Sequence, residues 1–439
     1  MAPTIKLFFL ATADHDSFSD SATARAKELC KSFYRTRLDQ NSLLPAPAVL
    51  RFIHFNHFAN KIRVFDFALT TNPKPKPPDK IQWHDLNSFV ATGDPQFSPA
   101  TFVDDGGGGD LTILHIYHSI RGAPAKSVRE LRIFSHGWAE GPILRASAPS
   151  SDDNPPASIN NLPIRDSSDT DGRARTDFAE NMGEDPNSGA AAGVFPRIGG
   201  KDALKEFKAA FDDNASFWIC GCNGQDPVRD KKNKLLAVLK STSAQVIRQA
   251  YLLPTAANEA GKNNQLAQTG AAIAKGNLPA EFTVTIDMGA ELKDERRDID
   301  SGGHYTIFNP ADKADDMNQR QAAHYGLDDK FFPTPTSANT VLTPKWTSIL
   351  GFIARRMQTV YPFKAASALG IAVFAGPVGV KSSLISDKQM RVCGEATKSE
   401  CGRILGFHED IMKLSRGDRN YFLLDAQSVA SINTLAQNP

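Results

Sequence analysis

Cysteine is scarce in this chain: five residues, at positions 30, 220, 222, 393 and 401, out of 439. So sparse and odd a set suits a reducing compartment better than a disulfide scaffold; Cys393 and Cys401 could bridge a small loop, but two unpaired thiols are expected. An excess of either charge is lacking as well. Lys and Arg number 50 against 49 Asp and Glu, a formal charge of +1. No overall field would hold a polyanion, so nucleic acid is not expected as a partner. Long hydrophobic runs are missing too. "IKLFFLA", residues 5–11, is short, carries Lys6 and has no cleavage pattern, while "LGIAVFAGPVGV", 369–380, is far too short to span a bilayer. Neither a signal peptide nor membrane insertion is expected, and the chain reads as a soluble, cytoplasmic protein.

What is present is the composition of a globular protein, 41% hydrophobic and 23% charged. "TIKLFFLAT", 4–12, and "AVLRFIHFN", 48–56, are rich in strand formers, and "KIRVFDFAL", 61–69, alternates. Residues 24–38 have helical spacing between the first two strands. Ile113, Ile116, Tyr117 and Ile120 fall at i, i+3, i+4 and i+7, which predicts a helix leading to a strand over 130–135. "KDALKEFKAAFDD", 201–213, is a helix with Leu204, Phe207 and Phe211 on one face, and it feeds a strand at 216–221. Further helices are expected around 233–252, 263–275 and 346–360, and strands at 281–289 and 371–377. Strands separated by helices predict an α/β fold whose mostly parallel sheet is flanked by helices. Two polar stretches, 146–200 and about 290–340, are insertions in a domain spanning 1–395, and 396–439 is a helical or irregular extension.

In a sheet of this kind ligands bind beyond the carboxyl ends of the strands. His136, Cys222 and Gly376 are expected there. "ELRIFSHGWAEG", 130–141, runs from a strand into His136-Gly137, and "SFWICGCNGQD", 216–226, does the same into Cys222. Cys220, inside "FWIC", fits the core. Cys222 follows Gly221 and precedes a polar turn, so it emerges from the core. A thiol becomes a strong nucleophile when a base stands within reach, and histidine is that base near neutral pH. Glycine after the histidine leaves a backbone N–H open to a carbonyl oxygen, as an oxyanion hole requires.

"LRIFSHG" followed by "FWICGCN" resembles the caspase-like (clan CD type) cysteine peptidases: caspases, gingipains, separase-type proteins and bacterial domains with paired SHG and GCN motifs. The resemblance covers 130–145 and 201–226, about a tenth of the chain. It implies a three-layer sandwich, His136 as general base and acid, and Cys222 as nucleophile. The backbone N–H groups of Gly137 and Cys222 would form the oxyanion hole. A peptide or protein is the implied substrate. The interval from His136 to Cys222 is longer than in caspases, with 146–200 as the excess, and no specificity-pocket residue can be matched.

Two other functions fit the same residues. "CGCNG", 220–224, has the small-x-nucleophile-x-small pattern of an α/β-hydrolase elbow, which would make the chain an esterase or amidase with His304, His324 or His408 as base. Against this, no strand and helix are evident between the motifs, and "QDPVRDKKNK" is strongly charged where the elbow's helix is apolar. A non-catalytic binding or effector module on the same scaffold is the other function. No cofactor or metal is expected. "GPVGVKSS", 376–383, has Val380 where a phosphate-binding loop needs glycine. The pairs His54/His57 and His115/His118 lack a third ligand.

Overall fold

The computed structural model describes residues 5–13, 18–39, 49–59, 61–68, 81–84, 113–138, 141–144, 203–221, 284–287, 339–342, 346–378, 380, 382–394 and 399–438. The insertion expected at 146–200, most of that at about 290–340, and the helices expected around 233–252 and 263–275 lie outside the described residues. The chain opens with β1 (Ile5–Thr12), α1 (Phe18–Asp39), β2 (Val49–Asn56), β3 (Lys61–Ala68) and β4 (Ile81–His84). Next come α2 (Ile113–Arg121), β5 (Val128–Phe134), β6 (His136–Trp138), β7 (Gly141–Ile143), α3 (Ala203–Ala210) and β8 (Phe211–Cys220). Then follow β9 (Val284–Asp287), β10 (Asn339–Leu342), α4 (Trp346–Thr359), α5 (Tyr361–Leu369) and β11 (Ala372–Ala375). The last elements are β12 (Ser382–Leu384), β13 (Met390–Val392), α6 (Ser399–Gly406), β14 (Phe422–Leu424) and α7 (Ala426–Ala436).

Among the described residues the main sheet has eight strands in the order β14-β11-β8-β5-β1-β2-β3-β4. The strands from β11 to β2 run parallel, while β14 pairs antiparallel with β11 at one edge and, at the other, β3 pairs antiparallel with β2 and β4 with β3. The fold is therefore α/β, with a mostly parallel central sheet flanked by helices. β1 shows why. Its apolar run from Leu7 to Ala11 is buried on both faces, which requires cover above and below.

Parallel register sorts the residues by face. Phe8 and Leu10 align with Phe52 and His54 on β2. On this face Ala22, Ala26, Leu29 and Cys30 of α1 pack against Phe8, Leu10, Leu50, Phe52 and Phe65. The small alanines at i and i+4 let α1 lie close to the sheet. Leu7, Phe9 and Ala11 point the other way and join Ile113, Ile116, Tyr117 and Ile120 of α2, Phe207 of α3, and Phe352 and Tyr361 of α4 and α5. Covering helices on both faces place the chain reversal between β1 and β5, the point at which such sheets open a crevice at their carboxyl edge.

α5 ends at Gly370, with a φ of 68° that glycine adopts without strain. The segment after 395 contributes β14 to the main sheet and α7 to the helical layer. Asp425 caps α7 by accepting the Ser428 N–H at 2.8 Å. Arg355 of α4 ties down the far end of α7, donating to the Ala436 and Asn438 carbonyls at 3.2 and 2.8 Å. Cys393 and Cys401 are joined in a disulfide, which corrects the expectation of two free thiols. Cys393 and Gly394 both have positive φ, and the Cα atoms of Cys393 and Cys401 lie 6.2 Å apart. No helix among the described residues is long and apolar enough to cross a membrane.

Candidate active site

β5 and β8 are parallel neighbours whose register aligns Leu131 with Phe217, Arg132 with Trp218, and Phe134 with Cys220. His136 and Cys222 each come two residues after an aligned pair. The strand ends are held level by backbone hydrogen bonds. Ala13 N–H donates to the Phe134 carbonyl at 3.0 Å and Ser135 N–H to the Cys220 carbonyl at 3.2 Å. Beyond Ser135 the chain does not enter an open loop. His136–Trp138 form β6, which pairs antiparallel with β7, with Gly137 opposite Pro142. The side chain of His136, and Cys222 as a whole, lie outside the described residues.

The carbonyl of Gly221, the residue before Cys222, accepts the Ser382 hydroxyl at 2.8 Å in a buried contact. Gly376, which follows β11 on the same edge, stands against this carbonyl and against Val380 and Val392. The β12–β13 hairpin thus buttresses the chain just ahead of Cys222. Gln389 of the hairpin donates to the Ser21 carbonyl on α1 at 3.2 Å, anchoring it across the α1 face.

Beneath these ends lies a buried charged cluster. Glu130 and Arg132 are 4% and 1% exposed, in the middle of the sheet. Arg25 of α1 engages both carboxylate oxygens of Glu130, Nε to Oε1 at 3.0 Å and Nη2 to Oε2 at 2.7 Å. Arg132 Nε stands 2.9 Å from Glu130 Oε1. Its guanidinium lies 4.1 Å above the Trp218 ring, and Trp218 stacks on Phe374 at 4.0 Å. Burial alone raises the Glu130 carboxyl, but the Arg132 and Arg25 guanidiniums overcome it and hold the group below its ordinary value. Burial pushes the Cys220 thiol up to about 11 against the pull of Arg132, which makes Cys220 a core thiol. Nothing in the sequence analysis singled out this cluster. Its one signal is two opposite charges, at 130 and 132, alternating with Leu131 and Ile133 in the strand.

The remaining histidines separate clearly. His54 Nε2 meets the Thr12 hydroxyl at 2.8 Å, and His57 Nδ1 donates to the Thr12 carbonyl at 2.9 Å. Both are buried and clasp the ends of β1 and β2 together. Burial, with Arg63 and His57 close by, holds His54 well below its ordinary value. His408, one choice of base in the elbow arrangement, donates from Nδ1 to the Ile404 carbonyl at 2.9 Å and is fully buried beside Phe407 and Phe422. Burial lowers it to about 4, the profile of a core histidine. His304 and His324 lie outside the described residues. Among the described residues no group of three or more His, Cys, Asp or Glu is placed to hold a metal ion.

No protein-family model matches the chain, and neither a curated protein nor a solved structure matches it.

Proposed function

We propose that the chain is a thiol-dependent hydrolase, a caspase-like cysteine peptidase that cleaves a peptide or amide through an acyl-enzyme. The carrying observation is the register of β5 with β8, in which Phe134, two residues before His136, aligns with Cys220, two residues before Cys222. A parallel sheet with helices on both faces also supports a caspase-like three-layer sandwich. In this mechanism His136 takes the thiol proton while Cys222 Sγ bonds to the carbonyl carbon. The resulting oxyanion accepts the N–H groups of Gly137 and Cys222. His136 returns the proton to the leaving amine as the C–N bond breaks. Water, deprotonated by His136, then hydrolyses the thioester and restores the thiol.

The ribbon geometry supports the role of Gly137. In an antiparallel pair, positions that exchange hydrogen bonds alternate with positions that exchange none. Pro142 has no N–H to give, so the Gly137–Pro142 pair suits the second kind, with the Gly137 N–H turned away from β7.

Turnover of a pooled fluorogenic peptide library tests the proposal. Cys222→Ala abolishes it, and His136→Ala lowers it by about 10²–10⁴-fold. Wild-type turnover in Cys222→Ala contradicts the proposal. Loss with His304→Ala or His324→Ala but not with His136→Ala selects the elbow-type hydrolase instead.

A further inference from the structure

The β12–β13 hairpin is a two-stranded sheet of its own, three residues to a strand, with Ser382 paired to Val392 and Leu384 to Met390. A hairpin that short is marginal in water by itself, so ties to the rest of the molecule decide where it sits. Met390 and Val392 are buried, and the polar ties reach three neighbours. Ser382 holds the Gly221 carbonyl beyond β8, and Gln389 holds the Ser21 carbonyl on α1. From the 418–420 turn, Asn420 Nδ2 donates to the Val392 carbonyl at 3.3 Å and Arg419 Nη1 to Asp387 Oδ2 at 2.6 Å.

The covalent tie is the Cys393–Cys401 disulfide. Cys393 directly follows Val392, the partner of the Ser382 that braces Gly221. Cys401 lies on α6, whose Ile404 and Leu405 are buried in the core. The bridge therefore fastens the foot of the hairpin to an anchored helix. Cys393 has a φ of 70°, which a residue with a side chain keeps only where its surroundings constrain it, and the bridge is one such constraint. Cys393 is also the more exposed of the two cysteines, so its sulfur is the one a thiol reaches. Cys30 and Cys220, by contrast, are free but buried.

We propose that the Cys393–Cys401 disulfide is a redox-sensitive clasp. Closed, it seats the β12–β13 hairpin on the carboxyl edge of β8 and β11; reduced, it releases the hairpin from that edge. The reductant is a dithiol, or two thiols of the glutathione class. Its thiolate bonds to Cys393 Sγ, the S–S bond breaks, and Cys401 leaves as a thiolate and takes a proton. The second thiol then attacks the reductant's own sulfur, which frees Cys393 as a thiol and leaves the reductant as a disulfide. The clasp acts on the strand ends themselves and does not depend on the chemistry proposed for them.

Hydrogen–deuterium exchange over labelling times of minutes tests this in the full-length protein, read on the peptide spanning 382–392. A dithiol reductant is expected to speed exchange of the hairpin amides at least about tenfold, while peptides from β5 and β8 stay protected. Replacing the reductant by oxidised glutathione restores the slow rate. The double variant Cys393→Ser, Cys401→Ser is expected to exchange at the fast rate with or without reductant, which assigns the effect to this bridge. If that variant does not fold, the oxidised and reduced wild-type protein decide alone. Hairpin exchange that is equal in those two forms, or that stays fast after reoxidation, overturns the proposal. So does a loss of protection that β5 and β8 share with the hairpin, because it marks general destabilisation.

Discussion

Ser135 donates its backbone N–H to the carbonyl of Cys220 at 3.2 Å, one residue before His136 and two before Cys222. With Phe134 aligned on Cys220, this bond fixes how far apart along the sheet the two motifs leave it. Neighbouring parallel strands lie about 4.8 Å apart. The Cys222 side of this arrangement is braced by Ser382 on Gly221.

Replacing Ser382 by alanine leaves the buried Gly221 carbonyl short of a donor. The expected cost is about 1–3 kcal/mol of stability, together with slower labelling of Cys222 at neutral pH. Urea denaturation and peptide-resolved alkylation of Ser382→Ala check both. Unchanged labelling would show that the hairpin does not brace the nucleophile segment.

Gly417 packs directly against the ring of Phe374. An added Cβ would lie 2.8 Å from Phe374 Cε1, and that ring is stacked on Trp218 beneath Arg132. Gly417→Ala is expected to destabilise the protein by about 1–3 kcal/mol through this crowding. A urea midpoint equal to wild type would contradict it.

Acid weakens the protein through its buried histidines. His408 is held at about 4 in the folded chain against an ordinary 6.5, because burial disfavours its charged form. The unfolded chain therefore takes up the proton first. The stabilisation is whole above pH 6.5 and is lost as the pH falls toward 4, roughly 3 kcal/mol in all. His54 acts in the same direction. His408→Asn, which cannot ionise, is expected to flatten the fall in urea midpoint between pH 6.5 and 4. An equally steep fall would assign the acid sensitivity elsewhere.

The disulfide between Cys393 and Cys401 closes a short loop, with a sequence separation of 8. Chain entropy assigns such a loop about 2–3 kcal/mol. Without reductant neither cysteine is expected to alkylate. A phosphine reductant frees both and lowers the urea midpoint. Labelling of both thiols before reduction would contradict the bridge.

Much of the architecture was legible because its elements bury one face at a regular period. Ile113, Ile116, Tyr117 and Ile120 announce α2, and the continuous apolar run of β1 announces a strand covered on both sides. The boundary between α3 and β8 was not. Residues 211–213 continue the helical spacing, but Phe211 pairs with Val128 and Asp212 is bound by Lys6 and Arg129, so the strand begins there. β12, β13 and β14 are three residues each and take their form from tertiary contacts such as Gln389 on Ser21. The charged cluster was hidden for a related reason. Alternation of Leu131 and Ile133 with Glu130 and Arg132 is the pattern of a half-exposed strand. Only the assembled fold shows Arg25 and the rings of Trp218 and Phe134 closing over that polar face.

The dyad itself is tested most directly by the rate of Cys222 alkylation against pH in wild type and His136→Ala. Cys30, pushed up to about 12 by burial, and Cys220 serve as inert controls in the same digest. Wild-type Cys222 is expected to label rapidly near neutral pH, with a midpoint below the ordinary cysteine range. In His136→Ala that labelling drops at least about tenfold and its midpoint rises. Labelling of Cys222 that is slow at neutral pH and identical in the two proteins would contradict a His136–Cys222 dyad.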